Sequence, residues 1–77
     1  MSAVTLAYRG GYKGVPGWWF AAVYDEAAIE KLKDAVAPRD RSWDEAEKRW
    51  WVSLDALDAA MRVYPGLEAY TRQGSLL

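Results

Sequence analysis

Apolar and polar residues alternate in two stretches near the beginning of the chain, and this period of two predicts β-strands. The first strand is predicted over residues 3–8 and the second over residues 18–24. The intervening RGGYKGVPG holds four glycines and one proline, which predicts a long, flexible turn. The alternation places on one face Thr5, Ala7, Trp19, Ala21 and Val23. It places on the other face Val4, Leu6, Tyr8, Trp18 and Phe20.

The spacing of apolar residues changes to three and four in two later stretches, which predicts two amphipathic helices. The first helix is predicted over residues 26–36, with Asp25 as its N-cap and Pro38 just beyond its end. The second helix follows Ser53 as its cap and ends at the YPG sequence of residues 64–66.

The segment between the helices, residues 41–53 (RSWDEAEKRWWVS), has the pattern of a β-hairpin. Residues 44–47 are expected to form a plain polar turn, with Asp44 bonded to nearby backbone amides rather than to a metal. Along the returning strand, Trp50 and Val52 share one face. The opposite face carries Arg49 and Trp51.

The resulting element order, β-β-α-β-β-α, predicts an α+β two-layer sandwich in which both helices cover one face of a small, mostly antiparallel sheet. We expect a single domain over residues 1–77, with its core in about residues 3–64 and a C-terminal extension in 65–77 that can form one more helical turn before it frays. The expected core residues are Trp18, Phe20, Tyr24, Ile29, Leu32, Trp43, Trp50, Val52, Leu57 and Met61.

Composition narrows the chemistry that the chain could perform. The 77 residues include five tryptophans but neither cysteine nor histidine, so disulfides and the usual zinc ligands are excluded. No nucleophile elbow or Walker-type phosphate loop is present, and we expect a protein that is not an enzyme and needs no cofactor. The beginning of the chain does not read as a signal peptide, and no apolar run approaches the about 20 residues of a membrane span, which predicts a cytoplasmic protein.

The order of elements and one motif resemble the HARP domain, which accompanies Swi/Snf-type annealing helicases. The likeness extends over residues 4–64, and VTLAY matches the first strand of that family. The motif consists of Tyr24-Asp25 before the first helix and Trp43-Asp44-x-x-x-Lys48-x-Trp50-x-Val52 in the second hairpin. The resemblance implies recognition of DNA structures such as forks on behalf of a motor. This chain differs in carrying no ATPase sequence, a longer first loop and fewer basic residues.

We expect the binding site on the sheet face opposite the helices. The predicted alternation of side chains along the strands places Trp19, Trp51 and Arg49 together on that face. Bases could stack on two exposed indoles while Arg49 contacts a phosphate. Net charge is −1, but residues 1–24 contain Arg9 and Lys13 and no acid. A protein partner, a sister subunit in a homodimer or the C-terminal tail could instead cover the indoles.

Two functions therefore stay open. The first is a non-catalytic nucleic-acid-binding accessory module for single strands or junctions of DNA or RNA. The second is a protein-interaction module, a small regulator or inhibitor of phage or mobile-element type, that docks on a nucleic-acid-processing complex. The site residues predicted for either function are Trp19, Trp51, Arg49, Arg9, Lys13 and Arg41.

Overall fold

The computed structural model describes residues 3–75 as an antiparallel four-stranded sheet with helices on one face. The strands are β1 (Val4–Arg9), β2 (Gly17–Ala22), β3 (Arg41–Asp44) and β4 (Arg49–Ser53). The helices are α1 (Glu26–Ala35), α2 (Leu57–Val63) and α3 (Leu67–Ser75), with 3₁₀ turns at Pro38–Asp40 and Leu54–Ala56. The spatial order is β1-β2-β4-β3, so two hairpins meet along their second strands and β1 and β3 are the edges.

The predicted α+β sandwich is confirmed, and the chain adds a third helix to it. α3 begins at Leu67, whose side chain is fully buried within the same apolar cluster as β2 and β4. The expectation that the core ends at residue 64 is therefore wrong. The predicted end of the second helix at residues 64–66 is confirmed, because α2 ends at Val63. A separate helix follows this turn, and its Leu67 and Tyr70 pack with the core.

The predicted local signals around the helices and the second turn are confirmed. The Asp25 carboxylate accepts a hydrogen bond from the amide of Ala28 at 3.2 Å and caps α1. The Ser53 hydroxyl accepts one from the amide of Ala56 at 3.3 Å, although the first turn after Ser53 is 3₁₀. In the β3–β4 turn, Asp44 accepts hydrogen bonds from two backbone amides, as expected for a polar turn.

The side-chain parity of β1 differs from the prediction because the strand contains an irregularity near its start. Val4 pairs with Ala22, whereas Leu6 already pairs with Ala21, so the residue between them is an extra one on the β1 side. After this β-bulge, Ala7 packs against the core and Leu6 and Tyr8 lie on the face away from the helices. Alternation alone does not reveal an inserted residue, which is why the prediction for β1 was wrong.

The core contains most of the predicted residues but excludes two of them. Phe20, Leu32 and Val52 are fully buried, whereas Tyr24 is 76% exposed and Trp43 is 43% exposed. Tyr24 follows β2 rather than continuing it, and Trp43 belongs to the edge strand β3. The buried aromatics that the prediction left out of the core are Trp51 and Tyr64.

Candidate functional site

The first hairpin extends beyond its strands as an ordered turn over the open sheet face, by which we mean the surface carrying Leu6, Tyr8, Trp19, Arg49 and Trp51. Tyr12 and Val15 exchange two backbone hydrogen bonds of 2.9 and 3.0 Å. The two residues between them, Lys13 and Gly14, have φ angles of 51° and 82°. Two consecutive positive φ values are typical of a type I′ hairpin turn, so the loop continues the hairpin rather than interrupting it.

This turn covers Trp51, which is only 1% exposed. The Trp51 indole nitrogen donates a hydrogen bond to the carbonyl oxygen of Gly10 at 3.1 Å, and the Tyr12 ring lies 5.3 Å from the Trp51 ring. The prediction of two exposed indoles on this face is therefore wrong for Trp51. The cover is neither a helix nor the C-terminal segment but the glycine-rich turn itself.

Trp19 and Arg49 do meet on the open sheet face, as predicted from parity. The guanidinium carbon of Arg49 lies 4.5 Å from the Trp19 ring centroid and 5.6 Å from that of Tyr8. Arg49 also donates a hydrogen bond to the Tyr8 hydroxyl and lies 3.4 Å from the Asp44 carboxylate. Arg49 is thus already stacked, hydrogen-bonded and charge-paired, which leaves it little capacity to hold a phosphate.

Tyr12 is a further polar group on this face. A hydrogen bond with the Ser42 hydroxyl lowers the pKa of the Tyr12 phenol, and the nearby Lys13 ammonium lowers that pKa further. The Lys13 ammonium lies 5.4 Å from the Tyr12 ring centroid at the exposed tip of the turn. Among the predicted basic residues, Lys13 therefore lies at the margin of the open sheet face, whereas Arg49 lies on it.

The remaining predicted basic residues do not join this face. Arg9 is exposed and pairs in register with Trp18, which places it on the helix side of the sheet. Arg41 pairs with Val52 and is likewise on the helix side, where its Nε donates a hydrogen bond to the carbonyl oxygen of Val36 at 3.0 Å. The six predicted site residues therefore do not form one site.

A second surface lies between α1 and the edge strand β3, and we call it the aromatic groove. It encloses about 490 Å³. Its lining residues are Tyr24, Ile29, Lys33, Arg41, Ser42, Trp43 and Trp50. A neighbouring hollow of about 330 Å³ shares Tyr24, Ile29, Trp43 and Trp50 with it and adds Lys48. The groove exists because the β3 edge extends beyond the cover that α1 provides.

The aromatic side chains of the groove are fixed by contacts at their base. The Trp43 ring packs against the buried Trp50 ring at 5.1 Å, with 52° between the ring planes. The Trp43 indole nitrogen donates a hydrogen bond to the Glu45 carboxylate at 2.9 Å, and Lys48 pairs with the same carboxylate. The hydrogen bond from Lys48, followed by that from the Trp43 indole, lowers the pKa of Glu45. Trp43 is therefore held in one orientation while much of its surface is exposed.

The groove also carries two cations, Lys33 and Arg41, that form no ion pair with the described part of the chain. Within residues 3–75, no carboxylate lies within 4.0 Å of the side-chain nitrogens of Lys33 or Arg41. The hydrogen bond to Val36 uses only the Nε of Arg41, so its two terminal amino groups are available to a ligand. Exposed aromatic rings beside two unpaired cations can hold a planar anionic group by stacking and charge together.

One sequence signal could have located the aromatic groove. Tyr24, Trp43, Lys48 and Trp50 carry the sequence motif described above, and all four line the groove or its neighbouring hollow. The sequence pattern predicts Tyr24 and Trp43 in the core because aromatic residues at strand ends look the same in sequence whether a helix covers them or not.

The described part of the chain contains neither a cluster of metal ligands nor a membrane-spanning helix. Among residues 3–75, no group of three or more acidic side chains is arranged to hold a metal ion. No helix in the same range has the length and apolar character needed to cross a membrane.

The comparisons with known proteins add no relative: the chain matches no protein-family model, no curated protein and no solved structure at a significant level.

Proposed function

We propose that this chain is a non-catalytic, HARP-like accessory module that binds unpaired nucleotides of DNA or RNA in the aromatic groove, acting in the cytoplasm beside a separate enzyme. The observation that carries the proposal is the exposure of Tyr24 and Trp43 next to the unpaired cations of Lys33 and Arg41. The motif shared with the HARP domain supports it, because its aromatic and basic residues line this groove.

The energetics favour unpaired bases over duplex. A base that stacks on an aromatic side chain contributes about 1–3 kcal/mol, but within a duplex its faces are already occupied by neighbouring bases. With a net charge of −1, the chain cannot rely on a general attraction to phosphates. Stacking in the groove must therefore supply most of the binding free energy, and Lys33 and Arg41 supply the charge contacts.

The test is fluorescence anisotropy of labelled oligonucleotides, single-stranded, forked and fully paired, titrated with the protein at about 50 and 200 mM salt. We expect the protein to bind the single-stranded and forked oligonucleotides and to bind the fully paired one weakly. Binding to all of them should be weaker at the higher salt concentration. No change in anisotropy with any oligonucleotide at the lower salt concentration would refute the proposal.

Matched variants assign the binding to the groove rather than to the open sheet face. Tyr24→Ala and Tyr8→Ala remove the same side chain from exposed positions on the two surfaces. Loss of one stacking contact predicts about tenfold weaker binding for Tyr24→Ala and little change for Tyr8→Ala. A larger loss of affinity for Tyr8→Ala than for Tyr24→Ala would place the nucleic acid on the open sheet face. Circular dichroism verifies that both variants fold.

A second candidate function is docking on a larger protein of a nucleic-acid-processing complex through the open sheet face. Leu6 is 49% exposed there beside Tyr8, Trp19 and Arg49, and Tyr, Trp and Arg are enriched at the centres of protein interfaces. Because Arg49 is paired with Asp44, the exposed Lys13 is the cation at the margin of this face that can attract a carboxylate. The face therefore favours a partner segment that presents apolar side chains with an acidic one beside them.

A photo-crosslinking residue at position 6 tests this second function in cells that produce the protein. We expect one defined protein of such a complex to be crosslinked, and we expect Arg49→Glu to abolish the crosslink. Equal labelling from position 6 and from a control position on the exposed side of α1, such as Glu30, would refute it.

A further inference from the structure

We infer that the aromatic groove receives a single nucleotide unit, one unstacked base with its adjacent phosphates, and does not follow a strand over many nucleotides. This inference deepens the proposed function and rests on it. It concerns the size of the ligand unit, which the choice between DNA and RNA does not affect.

The dimensions of the groove support one unit. Its volume of about 490 Å³ lies within the range of roughly 300–1,000 Å³ that is usual for sites of small molecules. The two exposed rings, Tyr24 and Trp43, line this one cavity, and Trp50 beneath them is almost completely buried. Successive bases of a longer strand would need further exposed rings in line with these two.

The distribution of charge also argues against an extended path. The exposed side chains of α1 carry three carboxylates, Glu26, Glu30 and Asp34, against the two ammonium groups of Lys31 and Lys33. A phosphate backbone laid along the helix would therefore meet a small net negative charge. On the other side, Arg49 is paired with Asp44 on the open sheet face. Lys48 in the neighbouring hollow is likewise paired, with the Glu45 carboxylate. The cations that line the groove and form no ion pair within residues 3–75 are therefore Lys33 and Arg41.

Arg41 is the residue that the structure prepares for a phosphate. Its Nε donates to the Val36 carbonyl, which restrains the guanidinium at the lining of the groove and leaves its two terminal amino groups without a hydrogen-bond partner among residues 3–75. A fixed guanidinium can bind two phosphate oxygens in parallel, whereas a lysine ammonium acts as a point charge. Arg41→Lys should therefore weaken binding about tenfold although the charge is unchanged.

Two phosphate contacts, at Lys33 and Arg41, give a quantitative expectation for salt dependence. For single strands, the slope of log K against log salt is about −0.7 per neutralised phosphate, so two contacts give a slope of about −1.4. A protein that follows a strand over six or more phosphates would give a slope steeper than about −4.

The experiment measures the affinity of the full chain for oligothymidylates of increasing length, each at several salt concentrations. We expect the affinity to stop rising after about two or three nucleotides, apart from the statistical gain of overlapping sites, with a slope of about −1.4. Deoxyadenosine 5′-monophosphate should compete with the oligonucleotide more strongly than deoxyadenosine, and Arg41→Lys should reduce that difference.

The possible failures are distinguishable. Long oligonucleotides could bind with an affinity that rises steadily with length and a slope of log K against log salt steeper than about −4. In that case the single-unit inference is wrong and the proposed function stands. If no oligonucleotide of any length binds, both are wrong. If Arg41→Lys binds and discriminates as the unchanged protein does, the role assigned to Arg41 is wrong.

Discussion

The indole nitrogen of Trp51 and the carbonyl oxygen of Gly10, separated by 41 residues in sequence, form a hydrogen bond of 3.1 Å. The bond joins the turn of the first hairpin to the central strand β4, and it lies on the face of the sheet that no helix covers. Because the turn covers the Trp51 indole, Trp19 is the tryptophan that stays accessible on this face, where two indoles would otherwise be exposed. The chain therefore offers its most exposed aromatic rings on the helix side, at the β3 edge.

Gly17 makes this closure possible, and its replacement tests it. A β-carbon at Gly17 would lie 2.2 Å from the Val52 carbonyl oxygen and 2.6 Å from the Trp51 indole nitrogen. We expect Gly17→Ala to destabilise the fold by about 1–3 kcal/mol, as overpacking of a close contact does. Urea denaturation monitored by tryptophan fluorescence measures this loss.

The control for that prediction is Gly66→Ala. A β-carbon at Gly66 meets Val4 at an ordinary distance of 3.6 Å, so the free energy of unfolding should change by less than about 1 kcal/mol. Equal destabilisation by both substitutions would mean that the loss of glycine, rather than the clash with Val52 and Trp51, causes the effect.

The sequence predicted those parts of the fold that depend on local periodicity. The alternation in β2 and β4 identified which of Trp18, Trp19, Trp50 and Trp51 share a face, because both strands are regular and hydrogen-bonded on both sides. The caps at Asp25 and Ser53 were likewise predictable, because a cap depends on a few neighbouring residues.

The candidate site was harder to predict because it depends on contacts between distant segments. Trp51 is shielded from water by the turn around Tyr12. The periodicity of the sequence does not predict that this turn lies over β4. Whether Trp43 is buried depends on how far α1 reaches over the edge strand, which the length of a helix does not determine. The bulge between Val4 and Leu6 adds a third case, since one inserted residue reverses all later positions of β1.

Two tryptophans that are in contact with each other should differ strongly in their contribution to stability. Trp50 is almost completely buried, so Trp50→Ala should cost about 3–5 kcal/mol, comparable with the whole stability of so small a domain. Trp43 packs on it from the edge strand, and Trp43→Ala should cost only about 1 kcal/mol. Urea denaturation compares the two variants, and a similar loss for both would contradict the assignment of Trp43 to an exposed surface.

The orientation of Trp43 should depend on pH. Because Lys48 and the Trp43 indole lower the pKa of Glu45, its carboxylate stays ionised in the folded protein at pH values where it is protonated in the unfolded chain. The stabilising contribution is thus present above the unfolded pKa and is lost as the pH falls through the lower folded pKa. The NMR shift of the Trp43 indole proton should follow that titration, and Glu45→Gln should remove it. If the Trp43 indole shift titrates in Glu45→Gln as it does in the unchanged protein, the titration belongs to a group other than Glu45.

Tyr64 should make the protein sensitive to alkaline conditions. Its side chain is buried against Phe20, with the ring centroids 5.2 Å apart. Burial raises the pKa of the Tyr64 phenol, and the Asp25 carboxylate raises it further, because both disfavour the phenolate. The contribution of Tyr64 to stability is therefore complete below the ordinary phenol pKa of the unfolded chain and is lost as the pH rises through the higher folded pKa.

The free energy of unfolding, measured in urea at pH values from about 8 to 11, should therefore fall above about pH 10, where the phenols of the unfolded chain ionise. Tyr64→Phe removes the ionisable group and should flatten this decline. Tyr24→Phe makes the same chemical change at an exposed ring and should leave the decline as it is. If Tyr64→Phe and the unchanged protein lose stability in parallel, other groups cause the alkaline sensitivity, and burial of the Tyr64 hydroxyl contributes nothing to it.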